Sequence, residues 1–191
     1  KPEIRACIAD LTPLKHTKYS VLNRYRMRTL KQPRALETRK RILREAAGLF
    51  AMKGFHDTKV DELIKAAEVT SGAFFHHFRG KEDLGFAVID HHMEERRGAL
   101  DRIEKRLGAP DKGDPLHRVF RRLDAVSEMV VRRRNKKGGC LIGNLSTALS
   151  DTHPAFRKRL GECFDEMAEE FRVHLDEAAA VLTKLEEEVE R

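Results

Sequence analysis

An all-α chain is the fold class that these 191 residues predict, and three observations carry that expectation. Apolar residues recur at helical spacing from residue 36 onward, and no stretch alternates with a period of two. Helix punctuation falls between the periodic stretches: Gly54, Thr70, Gly108 with Pro110, Asp114 with Pro115, and Asp151 with Pro154. Hydrophobic residues make up 40% and charged residues 36%, enough apolar surface for a helical core with polar faces to spare. The length suits one large domain or a small domain joined to a medium one.

Residues 1–33 are set apart from the rest. Pro2, Pro13 and Pro33 interrupt scattered basic residues and short apolar pieces, so this stretch is read as a basic extension outside the core. Met27 is the expected natural start, and the alternative is a genuine basic arm that reaches into a minor groove. Residues 36–53 predict the first helix, with Ile42, Ala46, Leu49 and Phe50 on one stripe and Gly54 as the residue that ends it.

The next stretch, TKVDELIKAAEVTSGAFFHHFRGKEDL from Thr58 to Leu84, has the spacing of a helix-turn-helix. Val60, Leu63, Ile64 and Ala67 fall at i, i+3, i+4 and i+7 and line one face of a short helix. Thr70 stands where a second helix needs an N-cap. Phe74 and Phe78, four apart, pin that helix to a core and leave Ser71, Gly72, Ala73 and His76 facing outward. Short side chains at a helix start allow close approach to a DNA major groove, where such residues reach base edges.

Lys81–Leu107 predicts a long fourth helix, and residues 108–114 read as a loop. Asp114 and Pro115 then open a helix whose stripe is Leu116, Val119, Phe120, Leu123, Val126 and Val130. It runs into RRRNKKGG, residues 132–139, which reads either as a solvated helix end or as a site for an anionic effector such as an acyl-CoA. Residues 140–150 predict a short apolar helix or a segment bent at Gly143. The last helix carries Phe156, Leu160, Cys163, Phe164, Met167, Phe171, Leu175 and Ala178, with Leu182, Leu185 and Val189 able to continue it.

Charge sharpens the reading. The net charge of +7 accompanies a run from Arg24 to Arg44 in which Glu37 is the single acid, whereas Glu186–Glu188 and Glu190 make the other end acidic. A basic front suits a polyanion, because neutralised phosphates release counterions. Cys7, Cys140 and Cys163 are too few for a disulfide framework, and no CxxC suggests zinc. No apolar run nears the roughly 18 residues of a membrane span, and no signal-like segment opens the chain, so a cytoplasmic location is expected. No Walker loop, GxSxG or GxGxxG is present, and enzymatic activity and a cofactor are not expected. His91 and Glu95 share a helix face, which keeps a metal-responsive regulator as one alternative, although HExxH spacing and a third ligand are lacking. Non-specific nucleic-acid binding is the other.

The stretch from Thr38 to about Val88 resembles the TetR/AcrR family of transcriptional regulators. The resemblance rests on TRKRILREAAGLFAMKGF, then Thr58, the helix-turn-helix, His77-Phe78 and Lys81-Glu82-Asp83-Leu84. It implies a DNA-binding domain over residues 34–80 and a helical effector-binding and dimerisation domain over 81–191. It also implies a homodimer on a palindromic double-stranded operator, released by a small molecule and acting most often as a repressor. Thr58, Ser71, Gly72, Ala73 and His76 become the base or groove contacts and Thr70 the cap. Lys81, Arg39 and the backbone of Phe75 become phosphate contacts. Two positions depart from the family pattern: Glu68 replaces a turn glycine, and Phe75 replaces a tyrosine whose hydroxyl would meet a phosphate.

Gly138–Met167 resembles the rear part of members that answer electrophiles or small carbonyl and acyl compounds, in which a cysteine at the position of Cys140 is the sensing thiol. Arg132, Arg133, Arg134, Lys136 and Lys137 precede Cys140, and cations with a helix N-terminus favour a thiolate. The alternative is a small packed hydrophobe, which is also the expectation for Cys163. The proposed pocket wall is Phe120, Leu123, Met129, Leu141 and Leu145 facing Phe86, Ile89 and Met93. Relatives dimerise through two long last helices. Here Leu182–Val189 is expected either as a shortened last helix or as the stump of a truncated one.

Overall fold

The computed structural model describes residues 33–108, 115–133 and 138–190. Among them are seven helices and no strand: α1 (Pro33–Lys53), α2 (Val60–Ala66), α3 (Ser71–His77), α4 (Lys81–Leu107), α5 (Pro115–Arg133), α6 (Leu141–Leu149) and α7 (Pro154–Val189). Residues 1–32 of the basic extension, the Asp114 cap and residues 134–137 of the basic run lie outside the described residues.

α1 starts at Pro33, three residues before the expected position, because a proline fits the first helical turn without losing a needed N–H. It ends as expected: Gly54 takes φ 84° and donates its N–H to the Phe50 carbonyl at 3.1 Å. The 140–150 stretch is a helix, α6, and not a bend at Gly143. α7 runs unbroken for 36 residues, so Leu182–Val189 continues it and is no separate last helix.

The principal core joins front to rear. Ile42, Phe50 and Phe55, Leu63, Phe74 and Phe78, Ile89 and Met93, Leu141 and Leu145, and Phe156 and Leu160 form one buried cluster. The boundary expected at residue 80 therefore falls inside continuous packing. Phe86 stacks on Phe156 at 4.1 Å, and a side chain at Gly85 would meet the Phe55 and Phe156 rings at 2.9 Å. A second, smaller cluster holds Leu100, Ile103, Ala125 and Met129.

α5 turns a different face inward from the one its apolar stripe predicts. Val119, Arg122, Ala125 and Met129 are buried, while Phe120 and Leu123 are exposed at 60% and 47%. These two are thereby removed from the expected pocket wall. The physical reason is ion pairing across the helix interfaces. Arg122 reaches Glu104 of α4 at 2.6 Å and Glu170 of α7 at 2.8 Å, and Arg118 reaches Glu177 at 2.8 Å. A guanidinium taken from water needs such partners, and carboxylates of α4 and α7 supply them. Of the other wall residues, Phe86, Ile89, Met93, Leu141 and Leu145 pack together in the main core, and Met129 belongs to the second cluster.

Candidate nucleic-acid interface

α2 begins with the backbone N–H of Lys59 donating to the Glu62 carboxylate at 3.0 Å. Lys53, at the end of α1, pairs with that carboxylate at 2.5 Å. The Lys53 ammonium first, and then the Lys59 N–H, hold the Glu62 carboxyl below the usual range. α2 ends in a paired-bond C-cap: Glu68 N–H donates to Lys65 and Val69 N–H to Ile64. The residue between, Glu68, takes φ 50°, the left-handed conformation that the turn demands and that a non-glycine residue occupies at a cost. Arg41 donates to the Glu68 carbonyl at 3.4 Å and ties the turn to α1.

Thr70 caps α3 as its position predicts, its hydroxyl accepting from Ala73 N–H at 3.1 Å. Phe74 and His77 are buried, so the helix rests on that side. Its other side presents Ser71, Gly72, Phe75 and His76, all exposed, with Ala73 half-buried at the margin. Nothing lies within 4 Å of where a Gly72 side chain would be, so the backbone there is open to close approach. A capped helix with short residues at its start and an unencumbered outer face is the geometry for insertion into a major groove.

Three expected contacts lie elsewhere. Thr58 is fully buried and donates its hydroxyl to the Gly54 carbonyl at 2.7 Å, bracing the α1–α2 loop and not a groove. Lys81 donates to the carbonyls of Phe55, His56 and Thr58 at 3.1–3.2 Å, and its ammonium lies 4.8 Å from the Phe55 ring centre. Its three donors are thereby committed to the loop. Arg39 is 3% exposed, lies 4.4 Å over the Phe78 ring and donates to the His77 carbonyl at 3.4 Å. All three hold the reader together from inside. Among the exposed cations that sequence reading passed over are Lys59, just before α2, and Arg79, just after α3. Their helix-flanking positions were the available signal.

Cys140 is the N-cap of α6 and is exposed, its Sγ accepting from Gly143 N–H at 3.5 Å. Cys163 is buried, and desolvation pushes its thiol up to about 12. His91 pairs with Glu95 at 3.5 Å, but among the described residues no group of three or more His, Cys, Asp or Glu could hold a metal. Among them, too, no helix is long and apolar enough to cross a membrane.

Comparison with known proteins agrees with this architecture. Residues 42–88 match the family model described as bacterial regulatory proteins, tetR family, and residues 115–189 match the tetracyclin repressor-like C-terminal domain. The chain belongs to the TetR family. It is 34% identical over 110 residues to the transcriptional regulator AcuR of Cereibacter sphaeroides, covering 56% of this chain and 47% of that protein. It is 25% identical over 134 residues to the transcriptional repressor DhaR of Mycobacterium sp. strain GP1, covering 70% and 63%. The chain thus spans less than two thirds of these two TetR-type relatives. A TetR regulator from Chloroflexus aurantiacus superposes with a TM-score of 0.65 at 27% identity, over 78% of this chain and 72% of that one. The reduced form of Escherichia coli NemR shares the fold, with a TM-score of 0.60 at 23% identity over 75% and 72%.

Proposed function

We propose that this TetR-family regulator is a repressor that binds a palindromic operator as a homodimer and is released by a small or electrophilic effector. The outer face of α3 carries the reading: Ser71, Gly72, Phe75 and His76 lie exposed together on a helix that Thr70 caps. In this reading Ser71, Gly72, Ala73 and His76 meet the groove, while Lys59 and Arg79 meet phosphates; the Phe75 N–H lies inside the helix ladder and is not available to one.

Pairing of two copies draws support from α7. Phe164, Ala168, Phe171, Leu175, Ala178, Leu182, Leu185 and Val189 follow one another at alternating steps of four and three, the spacing of a helix seam. Leu175, Leu182 and Leu185 stand about half exposed on it. Two paired readers on a palindrome give each α3 a half-site. The effector acts at Cys140, whose exposed thiol organises the first turn of α6. An effector that favours the DNA-incompetent spacing of the readers lowers operator affinity by that preference and no more.

The test is a titration at fixed physiological salt against DNA from the gene's own upstream region and against scrambled DNA. A specific repressor binds its operator at least roughly 10³-fold more tightly. Equal, salt-sensitive binding to both would replace this reading with non-specific polyanion binding.

A further inference from the structure

Beside the shared core, the rear of the molecule grips the reader at a small polar junction. Ala51 lies in the last turn of α1, where carbonyls have no partner inside the helix. The Asn144 side-chain amide donates to the Ala51 carbonyl at 3.0 Å and to the Gly138 carbonyl at 2.5 Å. Gly138 takes φ 104°, and a side chain there would lie 2.8 Å from the Ala51 carbonyl carbon and Cβ. The segment leading into α6 is therefore seated against the α1 backbone as closely as a glycine permits. His56 adds a ring-nitrogen contact to the Ala148 carbonyl at 3.1 Å.

Both sides of the junction connect onward. On the reader side, Lys53 is two residues past Ala51 and pairs with Glu62 of α2. On the rear side, Asn144 N–H donates to the Cys140 carbonyl at 2.9 Å, so Asn144 stands one turn after the Cys140 cap.

We propose that Asn144, seated by Gly138, is a positioning residue: the latch through which the Cys140 end of α6 sets the placement of the DNA reader. The latch holds the reader in its operator-binding placement, and loosening the first turn of α6 releases it. The trigger rests on the reading of Cys140 given above, whereas the latch itself does not need it.

N-ethylmaleimide is the probe. The Cys140 thiolate adds to the maleimide double bond: a sulfur–carbon bond forms, the π bond breaks, and a proton ends on the neighbouring carbon. A Cys140→Ser chain controls for the other thiols. The full chain is compared with Asn144→Ala by operator titration and by hydrogen exchange of the segment Ala51–Thr58. Loss of two hydrogen bonds is expected to weaken operator binding about tenfold. Exchange at 51–58 should quicken more than exchange elsewhere in the chain, and N-ethylmaleimide should weaken the variant far less than the parent.

Parent-like operator binding together with parent-like exchange in Asn144→Ala would overturn the latch, as would exchange that quickens uniformly along the whole chain. Asn144→Asp keeps the shape without the donors and decides the matter if the alanine chain folds poorly; parent-like behaviour there also overturns it. Weakened binding in Asn144→Ala, with a parent that ignores N-ethylmaleimide, leaves the latch standing and removes Cys140 as trigger. If no operator is bound at all, the exchange at 51–58 decides alone.

Discussion

The reader and the rear helices fill their interiors differently. In the reader, Arg39 lies over a ring and donates to a carbonyl, and large apolar side chains are buried or half-buried apart from Met52 and Phe75. In the rear, Arg96, Arg122 and Arg159 go inside against carboxylates, while Leu116, Phe120, Leu123, Leu182 and Leu185 stay exposed. Arg96 holds Glu170 at 2.7 Å and Arg159 holds Asp90 at 2.9 Å. A short three-helix unit has few interior positions and spends them on phenylalanine. Long helices bring facing rows of charge together, and matched rows compete with apolar stripes for the inside.

The largest break in that comparison comes from the reader core. Phe74→Ala is expected to cost about 3–5 kcal/mol in urea unfolding, whereas Phe75→Ala, with half its ring in solvent, stays within about 0.5 kcal/mol. Equal losses would mean that the two faces of α3 have been misassigned.

Next is the rear network. Burial alone would lower the Arg122 pKa, but hydrogen bonds and charge from Glu104 and Glu170 outweigh it and hold the guanidinium above its ordinary value. Arg122→Ala takes one partner from Glu104 and leaves Glu170 to Arg96 alone, and should cost about 2 kcal/mol. Arg122→Met, which refills the space while Arg96 keeps Glu170, should recover part of that loss. A small effect of the alanine change would show that the network is solvated.

A third test uses pH. The Cys163 thiol is raised by burial to about 12, so the folded chain keeps a proton that the unfolded chain releases near pH 8.5–9. Its contribution is fully present below that point and is lost as pH rises toward 12, at up to about 1.4 kcal/mol per pH unit. Cys163→Ala should remove this part of the alkaline slope in parallel melts. Peptide mapping at pH 8 should find Cys140 alkylated and Cys163 protected.

The smallest effects sit in the turn. Thr70→Ala should lose about 1 kcal/mol of stability with the cap. Glu68→Gly should gain up to about 1 kcal/mol by relieving the positive φ. A loss at Glu68→Gly would show that Glu68 makes a contact worth more than its strain.

Much of this was legible in the residues. The seven described helices follow the apolar periods and the punctuation, Thr70 is the cap its position requires, and Gly54 and Glu68 take the left-handed conformations their places demand. Those features depend on neighbours within a turn or two, which a linear reading sees. The same reading sent Thr58, Lys81 and Arg39 to DNA, because nothing local says that a lysine will find three loop carbonyls some 25 residues away.

Sequence alone thus determined the helix content, the reader and the outer face of α3, since each follows from spacing within one or two turns. Tertiary structure alone decided which side of α5 faces inward, whether reader and rear share a core, and where Asn144 reaches. Each of those depends on partners far apart in the chain: Arg122 with Glu170, Phe55 with Phe156, Ala51 with Asn144. A helical stripe fixes an axis of amphipathicity. The choice of inward face goes to whichever side finds the better partners, and only the folded chain brings those partners together.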